Sequence, residues 1–128
     1  MRRVLIPLAA ASFLTAATAS AHAQAAGNVA AGKLLFNQQC MLCHSADAGK
    51  EGAAPSLYGV VGRAAASERG FTSYTAALKG SKLTWTRANL NKFLSGPAQL
   101  VPGTAMPITL ASPADRANVI AYLATLKK

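Results

Sequence analysis

The residues with the clearest chemistry are two cysteines and a histidine in the pentapeptide Cys40-Met41-Leu42-Cys43-His44. The Cys-x-x-Cys-His spacing is the attachment signal for c-type haem. Two thiols at this spacing can add across the vinyl groups of adjacent pyrroles, and the adjoining imidazole then lies under the iron. The pattern therefore predicts one covalently attached haem, with Cys40 and Cys43 as attachment residues and His44 as an iron ligand.

Two other kinds of site could use the same cysteines. A thioredoxin-like redox pair needs a βαβ context, whereas the sequence after His44 has the pattern of loop and helix. A zinc site needs about four ligands, and the remaining histidine, His22, lies in a segment that we expect to be removed. A disulfide between Cys40 and Cys43 would close too short a loop to stabilise the fold much. Covalent haem is the favoured interpretation.

The N-terminal segment has the composition of an export signal. Arg2 and Arg3 precede a short apolar stretch that ends in the Ala-x-Ala exit Ala21-His22-Ala23. This pattern is typical of a secretory signal peptide, and the apolar run is shorter than the ~20 residues that a membrane span needs. We therefore expect residues 1–23 to be cleaved. Residues 24–128 would then form a single mono-haem domain in the periplasm, without a membrane span.

The mature domain is small and basic. Cleavage would remove two arginines, which lowers the formal net charge from +9 to +7 and leaves 105 residues. A chain of this size builds only a marginal core from its own side chains, so an apolar cofactor would complete it. Positive charge would steer the protein toward acidic surfaces on redox partners. Nucleic acid is another usual partner of basic chains, and export argues against it.

Helical patterns lie on both sides of the haem motif. One begins at Asn28, a good N-cap residue, and runs straight into Cys40. A short helical turn is predicted over residues 73–79. A longer helix is predicted to begin near Thr86, whose hydroxyl can cap it, and to end at the Gly96-Pro97 pair. The Gly-rich segment 46–66, between the haem motif and the turn at 73–79, favours a loop.

The C-terminal helix has the strongest local signals. Ser112 is an N-cap residue, Pro113 occupies the first helical position, and Asp115 is placed to complete a capping box. Lys127 and Lys128 are expected at the negative end of the helix dipole. Since no useful alternating strand pattern appears anywhere in the chain, the sequence predicts an all-α domain with long loops.

The second axial position of the iron separates the possible classes of function. A sixth strong ligand makes an electron carrier, whereas an open position makes a gas binder or a peroxidase-like enzyme. Met41 lies inside the attachment loop and cannot reach the face opposite His44. Met106 lies in a turn-rich loop bounded by prolines, and thioether sulfur is a usual haem ligand, so we expect Met106 to be the sixth ligand. A methionine that only fills a gap in the core is the alternative.

Four further blocks accompany the haem motif in order along the chain. They are Pro55-Ser56-Leu57-Tyr58-Gly59, Trp85, Pro102-Gly103-Thr104-Ala105-Met106 and Ile120-Ala121-Tyr122-Leu123. With the pentapeptide they resemble the class I cytochromes c of the mitochondrial-like bacterial kind. The resemblance covers nearly all of the mature chain. It implies three to five helices wrapped around one haem, with the terminal helices crossing at Gly32 and Phe36 against Tyr122.

The resemblance also implies supporting contacts for the haem. Pro55 would offer its backbone carbonyl to the ring N–H of His44. Arg63, Tyr74 and Trp85 would bind or charge-balance the buried propionates, and a further hydroxyl nearby would come from Thr104. Ordinary core packing is the alternative for Tyr74 and Trp85, and a solvated side chain is the alternative for Arg63.

Two departures from the family pattern bear on the haem pocket and on docking. Phe93 replaces a tyrosine that usually bonds to the ligating methionine, and Leu78 replaces an asparagine, so the pocket should be drier than usual. The ring of lysines around the haem edge is also missing, with Gln39, Ala98 and Ala105 at matching positions. An apolar, weakly salt-dependent contact is therefore an alternative to docking on acidic surfaces.

These expectations combine into a soluble periplasmic one-electron carrier with His44 and Met106 as iron ligands. It would be a monomer and not an enzyme, and it would exchange electrons with redox partner proteins. Two alternatives stay open. One is a haem subunit fixed to a dehydrogenase or oxidase, and the other is a haem enzyme or ligand sensor in which Met106 is weakly bound or absent.

Overall fold

The computed structural model describes residues 26–127, and in this part the chain is helical. The helices are α1 (Val29–Leu35), α2 (Ala76–Gly80), α3 (Arg87–Ser95), α4 (Pro97–Leu100) and α5 (Pro113–Leu123). A turn of π-helix, Phe36–Cys40, continues α1 into the haem motif. Within the described residues there is no strand beyond an isolated bridge between Ala64 and Thr84. The predicted all-α class is confirmed, and the proposed signal peptide lies outside these residues.

Side-chain caps determine where three of the helices begin. The Asn28 amide oxygen accepts a hydrogen bond from the Ala31 N–H at 2.9 Å at the start of α1. The hydroxyls of Thr86 and Ser112 likewise accept bonds from the backbone N–H three residues later, at 3.1 and 3.2 Å. Each cap satisfies a donor that the first helical turn leaves without a partner. All three caps are those that the sequence predicts.

The structure corrects other helix boundaries. The turn predicted over 73–79 begins at Ala76, because the Thr75 hydroxyl caps the N–H of Leu78. Pro97 was expected only to end α3, yet it also opens α4, where a residue without an N–H is tolerated at the first position.

The C-terminal lysines do not lie where the sequence suggested. The last helix ends at Leu123 with Ala124 as its C-cap. Lys127 therefore lies past the last turn of α5 and not at the negative end of its dipole, and Lys128 lies outside the described residues. The predicted helix was too long because Leu126, which fits its apolar side, packs against the core from beyond the helix end.

Helices α1 and α5 cross at very short range. A Cβ atom on Gly32 would lie 1.9 Å from the carbonyl oxygen of Asn118, so only glycine permits this approach. Next to it, the fully buried Phe36 ring packs on Tyr122 with the ring centroids 5.2 Å apart. The Asn118 side-chain oxygen also accepts a hydrogen bond from the Asn28 N–H at 2.7 Å. The predicted crossing of the terminal helices is confirmed.

No helix within residues 26–127 is both long and apolar enough to cross a membrane. The buried apolar side chains come chiefly from the π-helical turn, α3, α5 and the loops before α3 and α5. They include Phe36, Trp85, Leu90, Phe93, Leu94, Leu110, Val119, Ile120, Tyr122 and Leu123. This core forms one wall of a deep cavity, and loops form the other walls.

Candidate haem-binding site

A cavity of about 350 Å³ opens between the helical core and the loops. This volume is within the usual range of cofactor pockets. Among the described residues that line it, Arg63 alone carries a permanent charge. All nine residues that the sequence suggested as haem contacts line this one cavity: Cys40, Cys43, Pro55, His44, Arg63, Tyr74, Trp85, Thr104 and Met106. Met41 does not line it, and its side chain is 54% exposed.

The attachment motif folds as a tight turn at the end of the π-helix. The N–H groups of Cys43 and His44 both donate to the carbonyl of Cys40, at 3.1 and 2.9 Å. The two cysteines are not joined in a disulfide, and both line the cavity. Burial raises the pKa of the Cys40 thiol to about 11, whereas Cys43 is exposed at the cavity mouth. The turn thus presents two thiols and an imidazole to the same cavity.

The His44 ring is held by the backbone of the following loop. Its Nδ1 donates to the Pro55 carbonyl at 2.6 Å, which leaves Nε2 available for a metal. The loop is positioned by the Ala54 N–H, which donates to the Cys43 carbonyl at 3.0 Å. Burial lowers the pKa of His44, and the bond to Pro55 partly opposes this shift. The ring is therefore neutral at neutral pH, as metal coordination requires.

The loop between α4 and α5 brings Met106 to the cavity. The Thr104 N–H donates to the Val101 carbonyl at 3.0 Å, and the Met106 N–H donates to the Thr104 hydroxyl at 3.4 Å. The Met106 side chain is partly buried and packs against the core. Thr104 thus supports the backbone that carries the thioether.

Arg63 is anchored in the cavity wall and is not a solvated arginine. Its guanidinium donates to the carbonyls of Ser56 and Tyr58, at 2.8 and 2.9 Å, and forms an ion pair with Glu68. Only 18% of the Arg63 side chain is exposed. Sequence reasoning missed Glu68, although its opposite charge five residues after Arg63 was a possible signal. It also missed the buried Ser56, whose hydroxyl donates to the Asp47 carbonyl at 2.7 Å.

Trp85 and Tyr74, two of the aromatic residues that line the cavity, differ in surroundings. The buried Trp85 ring packs against Phe93 with centroids 4.9 Å apart. The Tyr74 hydroxyl accepts a bond from the Glu68 N–H at 3.3 Å, so its own proton stays available to an acceptor. Burial is the main cause that raises the pKa of Tyr74, and this keeps the phenol neutral at physiological pH. Apolar side chains at Leu78 and Phe93 line the same cavity, in keeping with the predicted dry pocket.

This donor set fits a covalently attached haem. Paired thiols, a neutral imidazole and a thioether converge on one apolar cavity, and a partly buried guanidinium and a neutral phenol are present on its wall. Thiols at this spacing match the two vinyl groups of a haem, and imidazole and thioether are known axial ligands of its iron. The fold and the site define the class: a small all-α domain that carries haem c.

Comparison with known proteins identifies the family. The family model for cytochrome c matches residues 29–127. The chain is 46% identical over 108 residues to cytochrome c2 of Rhodomicrobium vannielii, across 83% of this chain and 85% of the relative. It is 43% identical over 98 residues to cytochrome c of Tetrahymena pyriformis, across 76% of this chain and 87% of the relative.

A solved structure supports the same assignment. Cytochrome cH from Methylobacterium extorquens superposes with a TM-score of 0.71 at 40% identity, covering 77% of this chain and 99% of that one. The protein belongs to the cytochrome c family. It carries covalently attached haem c and acts with redox partners as an electron carrier, not as an enzyme.

Proposed function

We propose that this protein is a soluble, periplasmic, monomeric one-electron carrier with one haem c per chain. Cys40 and Cys43 hold the haem, and the iron is ligated by His44 and Met106. The haem supplies reversible one-electron chemistry when bound. The observation that carries the proposal is that His44, oriented by Pro55, and Met106, carried by the Thr104 loop, line one apolar cavity.

The surrounding side chains suit a carrier better than an enzyme. Apolar residues from the core and the loops exclude water from the cavity, so few groups must reorient when the charge on the iron changes. The Pro55 carbonyl holds the His44 ring in one orientation. Arg63 and Tyr74 present a guanidinium and a hydroxyl that suit the propionates, and Trp85 lines the same cavity.

The Met106 ligand is tested with two matched methionine variants. The oxidised wild-type protein should show the weak near-infrared band of sulfur-to-iron charge transfer. Met106→Ala should abolish this band, whereas Met41→Ala should retain it because Met41 is exposed outside the cavity. If the wild type lacks the band and binds CO readily, the carrier proposal is wrong and a ligand sensor or haem enzyme is favoured.

The surface that best suits docking of a redox partner is an apolar rim around the cavity mouth. We define this rim as Leu42, Ala105, Pro107 and Ile108. All four line the cavity and are exposed, with Leu42 at 78% and Ile108 at 39%. The rim carries no charge, and the basic residues lie elsewhere on the chain. An apolar patch on the partner would therefore fit this surface better than a cluster of acidic side chains.

Electron-transfer kinetics test this docking surface. With a physiological oxidase or reductase as partner, the second-order rate should change little between low and high ionic strength, because apolar contacts are not screened by salt. Leu42→Gln should slow the reaction about tenfold, a loss of roughly 1.4 kcal/mol. The control Leu34→Gln, at a residue 64% exposed on α1 and outside the cavity lining, should leave it unchanged. A steep fall of the wild-type rate with salt would favour acidic docking instead.

The same apolar rim keeps a second candidate function open. An uncharged surface also suits a haem subunit held permanently by a dehydrogenase or oxidase. Purification from the native host at high salt separates the two candidates. A free carrier should elute as a monomer, whereas a subunit should elute with its partner enzyme.

A further inference from the structure

The loop that carries Met106 is anchored in different ways before and after the thioether. Before it, the Thr104 hydroxyl accepts a hydrogen bond from the Met106 N–H at 3.4 Å. After it, residues 107–109 make no backbone–backbone hydrogen bond within the part of the chain that the structure describes. The next anchors along the chain are therefore at Leu110 and Ala111, and the position of the thioether depends on them.

The guanidinium of Arg116 in α5 supplies most of these anchors. Its Nη1 donates to the carbonyls of Leu110 and Ala111, at 2.6 and 2.8 Å. Its Nε donates to the side-chain oxygen of Asn91 in α3 at 2.9 Å. The Leu110 N–H donates to the Leu94 carbonyl of α3 at 2.8 Å, and the Leu110 side chain is buried. One half-buried side chain thus joins the end of this loop to both α3 and α5.

This set of contacts suits arginine better than lysine. The acceptors are two carbonyl oxygens at one nitrogen and an amide oxygen at another. A guanidinium presents its donors in a rigid planar fork, whereas the ammonium group of lysine is a compact point charge. The ion pairs of residues 26–127 involve Lys50 and Arg63, so the charge of Arg116 is directed at these neutral acceptors. Hydrogen bonds from a charged donor are stronger than neutral ones.

We propose that Arg116 is a positioning residue that keeps the Met106 sulfur on the haem iron by holding the far end of its loop. Arg116 does not line the haem cavity, so it acts through the backbone of Leu110 and Ala111. A ligand stays in one geometry only when the groups that carry it are themselves held. The inference rests on the proposed function, in which Met106 ligates the iron.

A purely structural role for Arg116 predicts a different behaviour. Arg116 would then stabilise the whole domain, and its loss would act on global unfolding. A positioning role instead raises the free energy of a local opening, which can be much smaller than that of global unfolding. Added imidazole separates the two roles, because it can bind the oxidised iron only after Met106 has left. At saturating imidazole the binding rate therefore equals the rate of loop opening.

Imidazole binding to the oxidised, haem-loaded protein tests the proposal. In Arg116→Lys, which keeps the charge but loses the fork, the saturating rate should rise about tenfold. Arg87→Lys makes the same replacement at an exposed arginine of α3 and should leave the rate unchanged. Asn28→Ala removes the α1 cap, lowers global stability and should also leave the rate unchanged. A wild-type rate in Arg116→Lys, or an equal rise in Asn28→Ala, would overturn the proposal.

A second variant applies if Arg116→Lys does not fold. Asn91→Ala removes only the acceptor of the Arg116 Nε and leaves both loop carbonyls bonded. It should raise the saturating imidazole rate by a smaller factor of about three, because the guanidinium then loses one of its three contacts. An unchanged rate in Asn91→Ala would contradict a role for the fork in holding the loop.

Hydrogen exchange tests the anchor without reference to the iron ligand. The Leu110 N–H should exchange about tenfold faster in Arg116→Lys, because release of the loop end exposes its bond to Leu94. Unchanged exchange at Leu110 would refute the anchor. The near-infrared band of the wild type reports ligation by Met106 separately. Its absence would refute the proposed ligation and, with it, this role of Arg116, whereas a band with unchanged Leu110 exchange would refute this inference alone.

Discussion

The α1–α5 crossing and the loop side of the haem cavity are built in different ways. At the crossing, Gly32 lets two helices meet and Phe36 packs on Tyr122, so side chains contact side chains directly. On the loop side, the stabilising contacts are hydrogen bonds from polar side chains to backbone carbonyls. Examples are His44 to Pro55 and Arg63 to Ser56.

The difference concerns where the apolar surface is buried. At the crossing, apolar side chains are buried against other protein side chains and need no cofactor. The apolar side chains of the loops face a cavity of about 350 Å³. A small domain has little apolar burial to spare. The crossing should therefore tolerate loss of the haem better than the loops, and changes at the crossing should act through packing alone.

Removal of the haem should have the largest effect. The double variant Cys40→Ala/Cys43→Ala cannot attach the cofactor and should lose most of its helical circular dichroism and its cooperative thermal transition, because the cavity side then lacks a core. Hydrogen exchange should find any residual protection in α1 and α5. Native-like circular dichroism of this variant would show that the loops fold without the cofactor.

The next largest effect is expected from Gly32→Ala. The new Cβ would collide with the Asn118 backbone, so the crossing must open, and we expect the free energy of unfolding to fall by about 3 kcal/mol. Chemical denaturation of the haem-loaded protein measures this change. Gly80→Ala is the matched control in α2, where no atom lies within 4 Å of the added methyl group. It should be neutral or stabilise by up to about 1 kcal/mol, and equal losses in both variants would contradict the packing argument.

A moderate effect is expected from removal of the α5 cap. Ser112→Ala leaves the Asp115 N–H without its acceptor and should lower the free energy of unfolding by about 1 kcal/mol. Ser112→Thr keeps a hydroxyl and should recover most of the loss. If both variants are equally destabilised, the side chain contributes by packing and not by capping.

The smallest effect is expected at the surface of the loop side. Lys50 and Asp47 form an exposed ion pair at 2.9 Å, so Lys50→Ala should leave the unfolding midpoint unchanged in thermal denaturation. The hydrogen bond to Asp47 raises the pKa of Lys50 from its ordinary value of 10.5. Any contribution of this ion pair to the free energy of unfolding is therefore fully present below pH 10.5 and is lost as the pH rises further. A clear loss at pH 7 would show that the pair orders the loop.

Helix starts were predictable because caps are local. Asn28, Thr86 and Ser112 each act on an N–H three residues away, so their neighbours in sequence contain the necessary information. The end of α5 was not predictable in this way. Leu126 fits the apolar pattern of the helix but packs, partly buried, against the core after the helix has ended.

In the candidate site, too, the local features were predictable and the features that depend on tertiary packing were not. The attachment turn was predictable because its chemistry lies within five residues. The gathering of Arg63, Tyr74, Trp85 and Thr104 followed from the family resemblance, and the structure places all of them on one cavity. The ion pair of Arg63 with Glu68 was missed although the two residues are five apart, because the segment between them is an irregular turn with no periodic pattern.

The sequence by itself therefore determined the cofactor, the likeness to a family and the local helix caps, since each depends on residue types at short spacing. Only the tertiary structure decided which distant groups share the cavity wall and how the guanidinium of Arg63 is held there. The shared cavity wall depends on distances between segments far apart in the chain, and no local pattern encodes those distances. The haem chemistry was thus readable from the pentapeptide, whereas the electrostatics that would tune it were not.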